Sequence, residues 1–287
     1  MIKTITESDL DTLINFIGYG NLDADIWFLG KEETISSSAM MIDRLQFEQV
    51  EDSTKALSIL NLSASDFWNT SLNGNMQGLS ELMLKLSGEK ITGPKVLNYA
   101  MEHLGKADDA SLLCFLLPLP VTRETGEDFQ KIFPQYSSRE EYLEEIRPLR
   151  LDFFRQLVAS YHPRVIIAYG KDAWTDYKEL FQDYKLNANG DFMLGWSAET
   201  VIILCDNFTS AELAGKLDEL FSLIQKNSLD IRMDKRSGSD LLSKAEIARQ
   251  QKEIARKAAL AKRKPARKHN PADPYCVCEY CLGYETD

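Results

Sequence analysis

Four short runs of almost uninterrupted aliphatic and aromatic residues constrain this chain most. They are Asp25-Ile26-Trp27-Phe28-Leu29, Leu112-Leu113-Cys114-Phe115-Leu116-Leu117, Val165-Ile166-Ile167-Ala168-Tyr169 and Val201-Ile202-Ile203-Leu204. A strand with one solvated face alternates apolar with polar residues. Continuous apolar character marks strands covered on both faces, as in parallel sheets. Stretches of helical spacing lie between the runs. Residues 78–88 carry Leu79, Leu82, Met83 and Leu86, and residues 140–161 carry Leu143, Ile146, Leu149, Phe153, Phe154 and Leu157. A third such stretch, 211–224, follows Thr209-Ser210, which suit a helix N-cap. Strands alternating with helices imply right-handed crossovers and a sandwiched sheet. The sequence predicts an α/β fold over about residues 1–230, three-layer α/β/α with a central four-stranded parallel sheet.

With 44% hydrophobic and 10% aromatic residues, a chain of 287 has material for a real core, which argues against wholesale disorder. No apolar run approaches the ~20 residues that span a bilayer. The opening MIKTITESDLDTL lacks the basic-then-apolar order of a signal peptide. These features predict a cytoplasmic, intracellular protein without a membrane partner. Cys114 and Cys205 sit inside apolar runs and read as core residues.

The net charge of −11 is unevenly spread. Residues 232–268 hold 13 Lys/Arg against 4 Asp/Glu, whereas residues 1–231 hold 20 against 36. An acidic body does not suit sequence-blind adhesion to phosphate backbones; a basic arm does. The segment 231–268 is therefore a candidate arm, with Lys252, Arg256, Lys257, Lys262, Arg263 and Lys264 as candidate DNA contacts. Its composition is helix-forming, and a solvated helix or a disordered tail is the competing reading. Residues 269–287 form a third unit. There, His269, Cys276, Cys278 and Cys281 combine three thiols and an imidazole, enough for a structural zinc knuckle. An iron–sulfur ligand set or free thiols remain alternatives. The arm and knuckle also suit a protein partner.

In parallel sheets, ligands bind at the carboxyl ends of the strands. That rule selects Gly30-Lys31-Glu32-Glu33-Thr34, Pro118 to Arg123, Gly170-Lys171-Asp172 and Cys205-Asp206-Asn207-Phe208-Thr209-Ser210. The first and last combine acids with amides or hydroxyls, groups that can cradle a polar ring and orient water. Phe47, Trp68 and Phe208 are candidate stacking partners for an unstacked base, with core packing as the alternative.

Arg150 to Leu157, followed by His162-Pro163-Arg164-Val165-Ile166-Ile167-Ala168-Tyr169-Gly170-Lys171-Asp172-Ala173-Trp174, resembles the helix–Pro–strand–Gly–x–x–Ala segment of the uracil-DNA glycosylase superfamily. The strand ending in Gly30 and its acidic turn are similar to that superfamily's first catalytic motif. Leu117-Pro118-Leu119-Pro120 resembles the prolines after its second strand, and the last strand with its polar loop is placed like its second motif. The resemblance spans roughly residues 23–210 in the correct order. It implies a uracil-DNA-glycosylase-like fold and a monofunctional DNA N-glycosylase that requires no cofactor for catalysis. Glu32 takes the place of the water-orienting residue, with Gly30, Lys31, Glu33, Pro118, Phe208 and Ser210 around the substrate. Glu32 and Glu33 also admit a reading as solvated turn acids.

Two departures matter. Glu33-Thr34 stands where the superfamily has proline. Asp206-Asn207-Phe208-Thr209-Ser210 stands where most members have His-Pro-Ser. Asn207 can donate to a base oxygen, and Asp206 can engage water or a cationic leaving base; a helix N-cap by Asp206 or Thr209 is the structural alternative. The second strand lacks the amide that reads uracil. The expected activity is hydrolysis of the N-glycosidic bond of a non-standard or modified base in DNA. The alternatives are a non-catalytic base-, nucleotide- or DNA-binding protein and a regulatory protein-binding module.

Overall fold

The computed structural model describes residues 5–35, 39–63, 74–122, 129–197 and 199–227. In chain order the elements are α1 (Glu7–Ile14), β1 (Gly18–Gly20), β2 (Ile26–Gly30), β3 (Thr34–Ile35), α2 (Ala39–Asp43), β4 (Val50–Glu51), α3 (Ser53–Ile59), α4 (Gly74–Leu86), α5 (Gly93–Glu102) and β5 (Ser111–Phe115). Then come β6 (Val121–Thr122), α6 (Phe129–Ile132), α7 (Arg139–Tyr161), β7 (Val165–Tyr169), α8 (Trp174–Leu180), β8 (Asn187–Asn189), β9 (Phe192–Trp196), β10 (Val201–Cys205), α9 (Ala211–Ala214) and α10 (Leu217–Asn227). The helix expected over 78–88 begins a turn earlier and stops at Leu86. The one expected over 211–224 is two helices, parted at Gly215-Lys216.

The four apolar runs form β2, β5, β7 and β10. These lie side by side in the order β5-β2-β7-β10, all mutually parallel. The expected four-stranded, all-parallel sheet needs correction, because the sheet has eight strands and is mixed. β1 pairs antiparallel to β5 and carries β4 beyond it; β9 pairs antiparallel to β10 and carries β8. Three of these additions, GYG, VE and NAN, are too short to register as apolar runs. They are held by ladder hydrogen bonds at the margins of a sheet whose centre is already buried.

The pleat sends alternate residues of each central strand to opposite faces. Phe28, Leu113, Ile167 and Ile203 pack with Leu79, Leu82 and Met83 of α4 and with Leu220 and Ile224 of α10. Trp27, Leu112, Ile166 and Ile202 pack with Leu151, Phe154, Leu157 and Tyr161 of α7 and with Tyr177 and Leu180 of α8. Helices thus cover both faces, and the three-layer expectation holds. A further cluster joins α1 to Tyr142 and Ile146 in the first half of α7.

Arg150 is fully buried near the middle of α7. Its guanidinium donates to the carbonyls of Leu116 (2.9 Å), Phe115 (2.8 Å), Phe16 (3.1 Å) and Ile14 (3.4 Å). It lies over the rings of Phe153 and Phe154. Burial pushes its pKa down to about 10. This side chain ties the exit of β5 to the segment between α1 and β1.

Just before β5, at the amino-terminal end of the parallel strands, Asp109 accepts from Tyr99 Oη at 3.0 Å and from Ser111 Oγ. Burial raises its pKa against the pull of these donors. The unfolded carboxyl ionises in its ordinary range, so unfolding releases a proton between that range and the raised native value. The corresponding stabilisation is complete at low pH and is lost as pH rises through the native pKa. Asp109→Asn is expected to flatten the pH dependence of the thermal midpoint in that window. Parallel midpoint–pH curves for the two proteins would contradict this.

No helix among the described residues is long and apolar enough to cross a membrane.

Candidate functional site

A cavity of about 340 Å³ opens beside the carboxyl ends of β2, β5 and β7 and the loop after β10. Leu79, Leu113, Phe115, Met76 and Tyr169 supply its apolar surface. Its polar groups are Tyr19, Lys31, Glu32, Glu33, Thr34, Asn75, Asp172 and Asn207.

The β2–β5 ladder runs on past the strand ends. Leu116 N–H donates to Gly30 O at 2.9 Å, and Leu117 N–H donates to Lys31 O at 2.7 Å. The acidic turn therefore leaves a fixed backbone. Gly30 is needed for close approach: a Cβ there would lie 2.7 Å from the Tyr169 hydroxyl oxygen. Each side chain of the turn then finds a different partner. Lys31 Nζ lies 3.4 Å from Asp172 Oδ2. Glu32 pairs with the guanidinium of Arg139, the first residue of α7.

Glu33 is held most firmly. Arg44 Nη1 lies 2.7 Å from its Oε2, and Tyr19 Oη donates to Oε1 and Oε2 at 2.9 and 3.0 Å. Arg44 is itself buried, with its guanidinium 4.8 Å from the centre of the Phe16 ring and 5.2 Å from that of Phe47. Burial works to lower the Arg44 pKa, but the Glu33 carboxylate and the Tyr19 oxygen beside it together outweigh that and raise it. Burial pushes the Tyr19 hydroxyl well above its ordinary range, so it stays a neutral donor. The backbone of Glu33 is also tied down, its carbonyl accepting from Val121 N–H at 2.8 Å.

The loop after β10 contributes Asn207 to the cavity but not Asp206. Asp206 Oδ1 accepts from the Asn207 N–H at 2.7 Å, and its Oδ2 lies 3.5 Å from Lys171 Nζ. Lys171 also pairs with Glu212 at 2.8 Å. Asn207 sits over Gly170, whose φ of 102° suits glycine; a Cβ there would lie 3.3 Å from Asn207 Oδ1 and 3.1 Å from Asp172 Oδ1. The helix cap comes from neither Asp206 nor Thr209. Ser210 Oγ accepts from Leu213 N–H at 3.1 Å and caps α9, so that hydroxyl serves the fold.

Among the expected stacking residues, Phe208 is buried, edge-on to Phe28 and Tyr169. Phe47 packs on Phe16 and lines, with Pro118 and Arg44, a separate cleft of about 170 Å³. Trp68, the arm residues Lys252, Arg256, Lys257, Lys262, Arg263 and Lys264, and the knuckle residues His269, Cys276, Cys278 and Cys281 lie outside the described residues. Among the described residues, no cluster of His, Cys, Asp and Glu has the make-up of a metal site.

Sequence reasoning missed Tyr19, Arg44, Asn75, Arg139 and Tyr169. Only Tyr169, the last residue of a recognised strand, carried a usable signal. Asn75 is notable because its Oδ1 is buried without a hydrogen-bond partner among the described residues. No protein-family model matches this chain, and no curated protein matches it.

Proposed function

We propose that this protein is a DNA glycosylase that hydrolyses the N-glycosidic bond of a modified base, on a fold like that of the uracil-DNA glycosylases. One observation carries the reading: Glu32 and Asn207, from turns 175 positions apart in the chain, meet on one cavity at the strand ends. A cavity of about 340 Å³ whose apolar surface is set among a larger number of polar side chains suits a polar heterocycle. In this reading the bond from base nitrogen to C1′ breaks, and its electron pair leaves with the base. Glu32 orients a water towards C1′ and takes its proton as the new C–O bond forms, while the departing base gains a proton from solvent. Asn207 donates to a base oxygen as charge builds there. The Glu32–Arg139 pair favours one alternative, binding without release, because a carboxylate engaged by a guanidinium has fewer lone pairs left to hold a water.

Incubating the chain with oligonucleotides that carry single modified bases, and measuring free base, tests the proposal. Release that depends on Glu32 supports it; tight binding without release selects the alternative. Uracil is expected to be a poor substrate.

The basic arm, 231–268, extends the proposal to phosphate contacts on DNA, with the zinc knuckle His269, Cys276, Cys278 and Cys281 as a structural cap or protein contact. Deleting the residues after Asp230 is expected to weaken duplex binding and to reduce the log–log salt slope by about 0.9 per lost phosphate contact. Turnover at saturating substrate survives, since the cavity residues all precede the cut. Unchanged salt dependence would remove the arm from the interface.

A further inference from the structure

We propose that the cleft beside the cavity is a second nucleobase subsite, in which a base flanking the one in the cavity stacks on Phe47 and accepts a hydrogen bond from Arg44 Nη2. The proposal rests on the nucleobase reading and adds a second contact on the same strand of nucleic acid. The cleft measures about 170 Å³, and Leu13, Phe16, Arg44, Phe47 and Pro118 are among the residues that line it. It opens at the same end of the sheet as the cavity. Pro118 follows the carboxyl end of β5, and Asn15 and Phe16 lead into β1, which runs antiparallel to β5. One ion pair joins the two spaces, since Glu33 lines the cavity and its partner Arg44 lines the cleft. Phe47 and Pro118, both expected from the sequence to meet the substrate, lie on this cleft and not on the cavity.

Arg44 is only 3% exposed. Its Nη1 serves Glu33 Oε2 at 2.7 Å and the Tyr19 hydroxyl at 3.3 Å. Its Nη2 is buried and has no hydrogen-bond partner among the described residues. A charged donor left unmade in the interior is costly, so this atom calls for an acceptor from a ligand. The surroundings select a neutral one. Glu33 already offsets the charge of the guanidinium, and the Glu48 carboxylate also lines the cleft. Lys55 pairs with Glu48 but is shared with Glu51. A phosphate would thus meet a carboxylate with no free cation to balance it, whereas a ring carbonyl or ring nitrogen would not. The rest of the wall suits a flat apolar face. The Phe47 ring is half-buried, with its centroid 5.7 Å from that of Phe16 and 6.2 Å from that of Tyr19. Its aromatic neighbours fix it before a ligand arrives, which makes it a ready stacking platform. A space of this size takes one heterocycle, with apolar faces for Phe47 and an acceptor on its edge for Arg44.

The test uses the full chain and single-stranded octamers. Irradiating the chain with an octamer of 2′-deoxy-5-iodouridine, whose base couples to an aromatic ring stacked on it, is expected to give an adduct that mass spectrometry places on Phe47. Phe47→Leu is expected to remove that adduct and to weaken binding of a thymidine octamer ~10-fold, the scale of one base–aromatic stack. Two further octamers read the contacts in the wild type. One of abasic residues keeps the phosphates alone, and one of the difluorotoluene isostere of thymidine keeps the ring and lacks the carbonyl acceptors. Each is expected to bind ~10-fold or more weakly than the thymidine octamer. Should Phe47→Leu fail to fold, the adduct position and the wild-type affinities decide. An adduct confined to other residues, or a thymidine octamer bound no better than the abasic or the difluorotoluene one, overturns the proposal, as does binding of no octamer at all. Its fate is separable from that of the glycosylase reading. Base release from a modified-base oligonucleotide, with no adduct on Phe47, sinks only the second subsite. The Phe47 adduct and the affinity differences, without release from any oligonucleotide, sink only the hydrolysis.

Discussion

Glu32→Gln is expected to fold like the wild type and to lose base release by ~10²-fold or more, the scale of a positioned general base. The amide keeps the shape and can still accept from Arg139, so the turn between β2 and β3 has no reason to move. What disappears is the capacity to take a proton from water. Single-turnover release from a modified-base oligonucleotide, measured beside a thermal melt, separates the two effects. Wild-type rates in the variant would take Glu32 out of the mechanism. Glu33 is the informative neighbour. It is tied to Arg44 and Tyr19, and substitution there disturbs both a buried cation and the cavity wall. Leaving a buried charge without its partner costs about 3–5 kcal/mol, so Glu33→Gln, which keeps an acceptor for Arg44, is gentler than Glu33→Ala.

Arg150→Met is expected to lower stability by about 4 kcal/mol or more, enough to remove much of the margin of an ordinary domain. Methionine fills part of the volume between Phe153 and Phe154 but donates to none of the four carbonyls that Arg150 serves. Each buried acceptor left unmade carries its own desolvation cost, and together they connect β5 to the chain ahead of β1. Arg150→Lys restores charge without reach, because one ammonium cannot span a planar fork's set of acceptors. It should fall between the wild type and methionine. Urea titration at neutral pH reads both variants. A methionine variant with a wild-type midpoint would mean that the four contacts are dispensable.

Local apolar pattern was enough to place the centre of the sheet and the end of it that carries the cavity. An apolar run such as Val165–Tyr169 has no polar face to give to water, so it must be buried on both sides. Four such runs separated by helices leave little choice but a parallel core. The strand-end rule then pointed to the turn holding Glu32 and Glu33 and to the loop holding Asn207, and both reach the cavity. Which acids line the cavity and which are engaged elsewhere was settled by contacts between distant segments. Asp206 and Asn207 are adjacent in sequence, yet only Asn207 lines the cavity, because Lys171 and the Asn207 backbone engage Asp206 outside it. Tyr19 sits on the three-residue strand β1, whose pairing to β5 no local pattern announces. Arg44 occupies a short turn that reads as surface, and its burial makes sense only once Glu33, Phe16 and Phe47 surround it. Periodicity reports which faces are apolar, and that property is local. The partner of a buried charge is set by contacts between distant segments, which become definite only when the chain has closed around them.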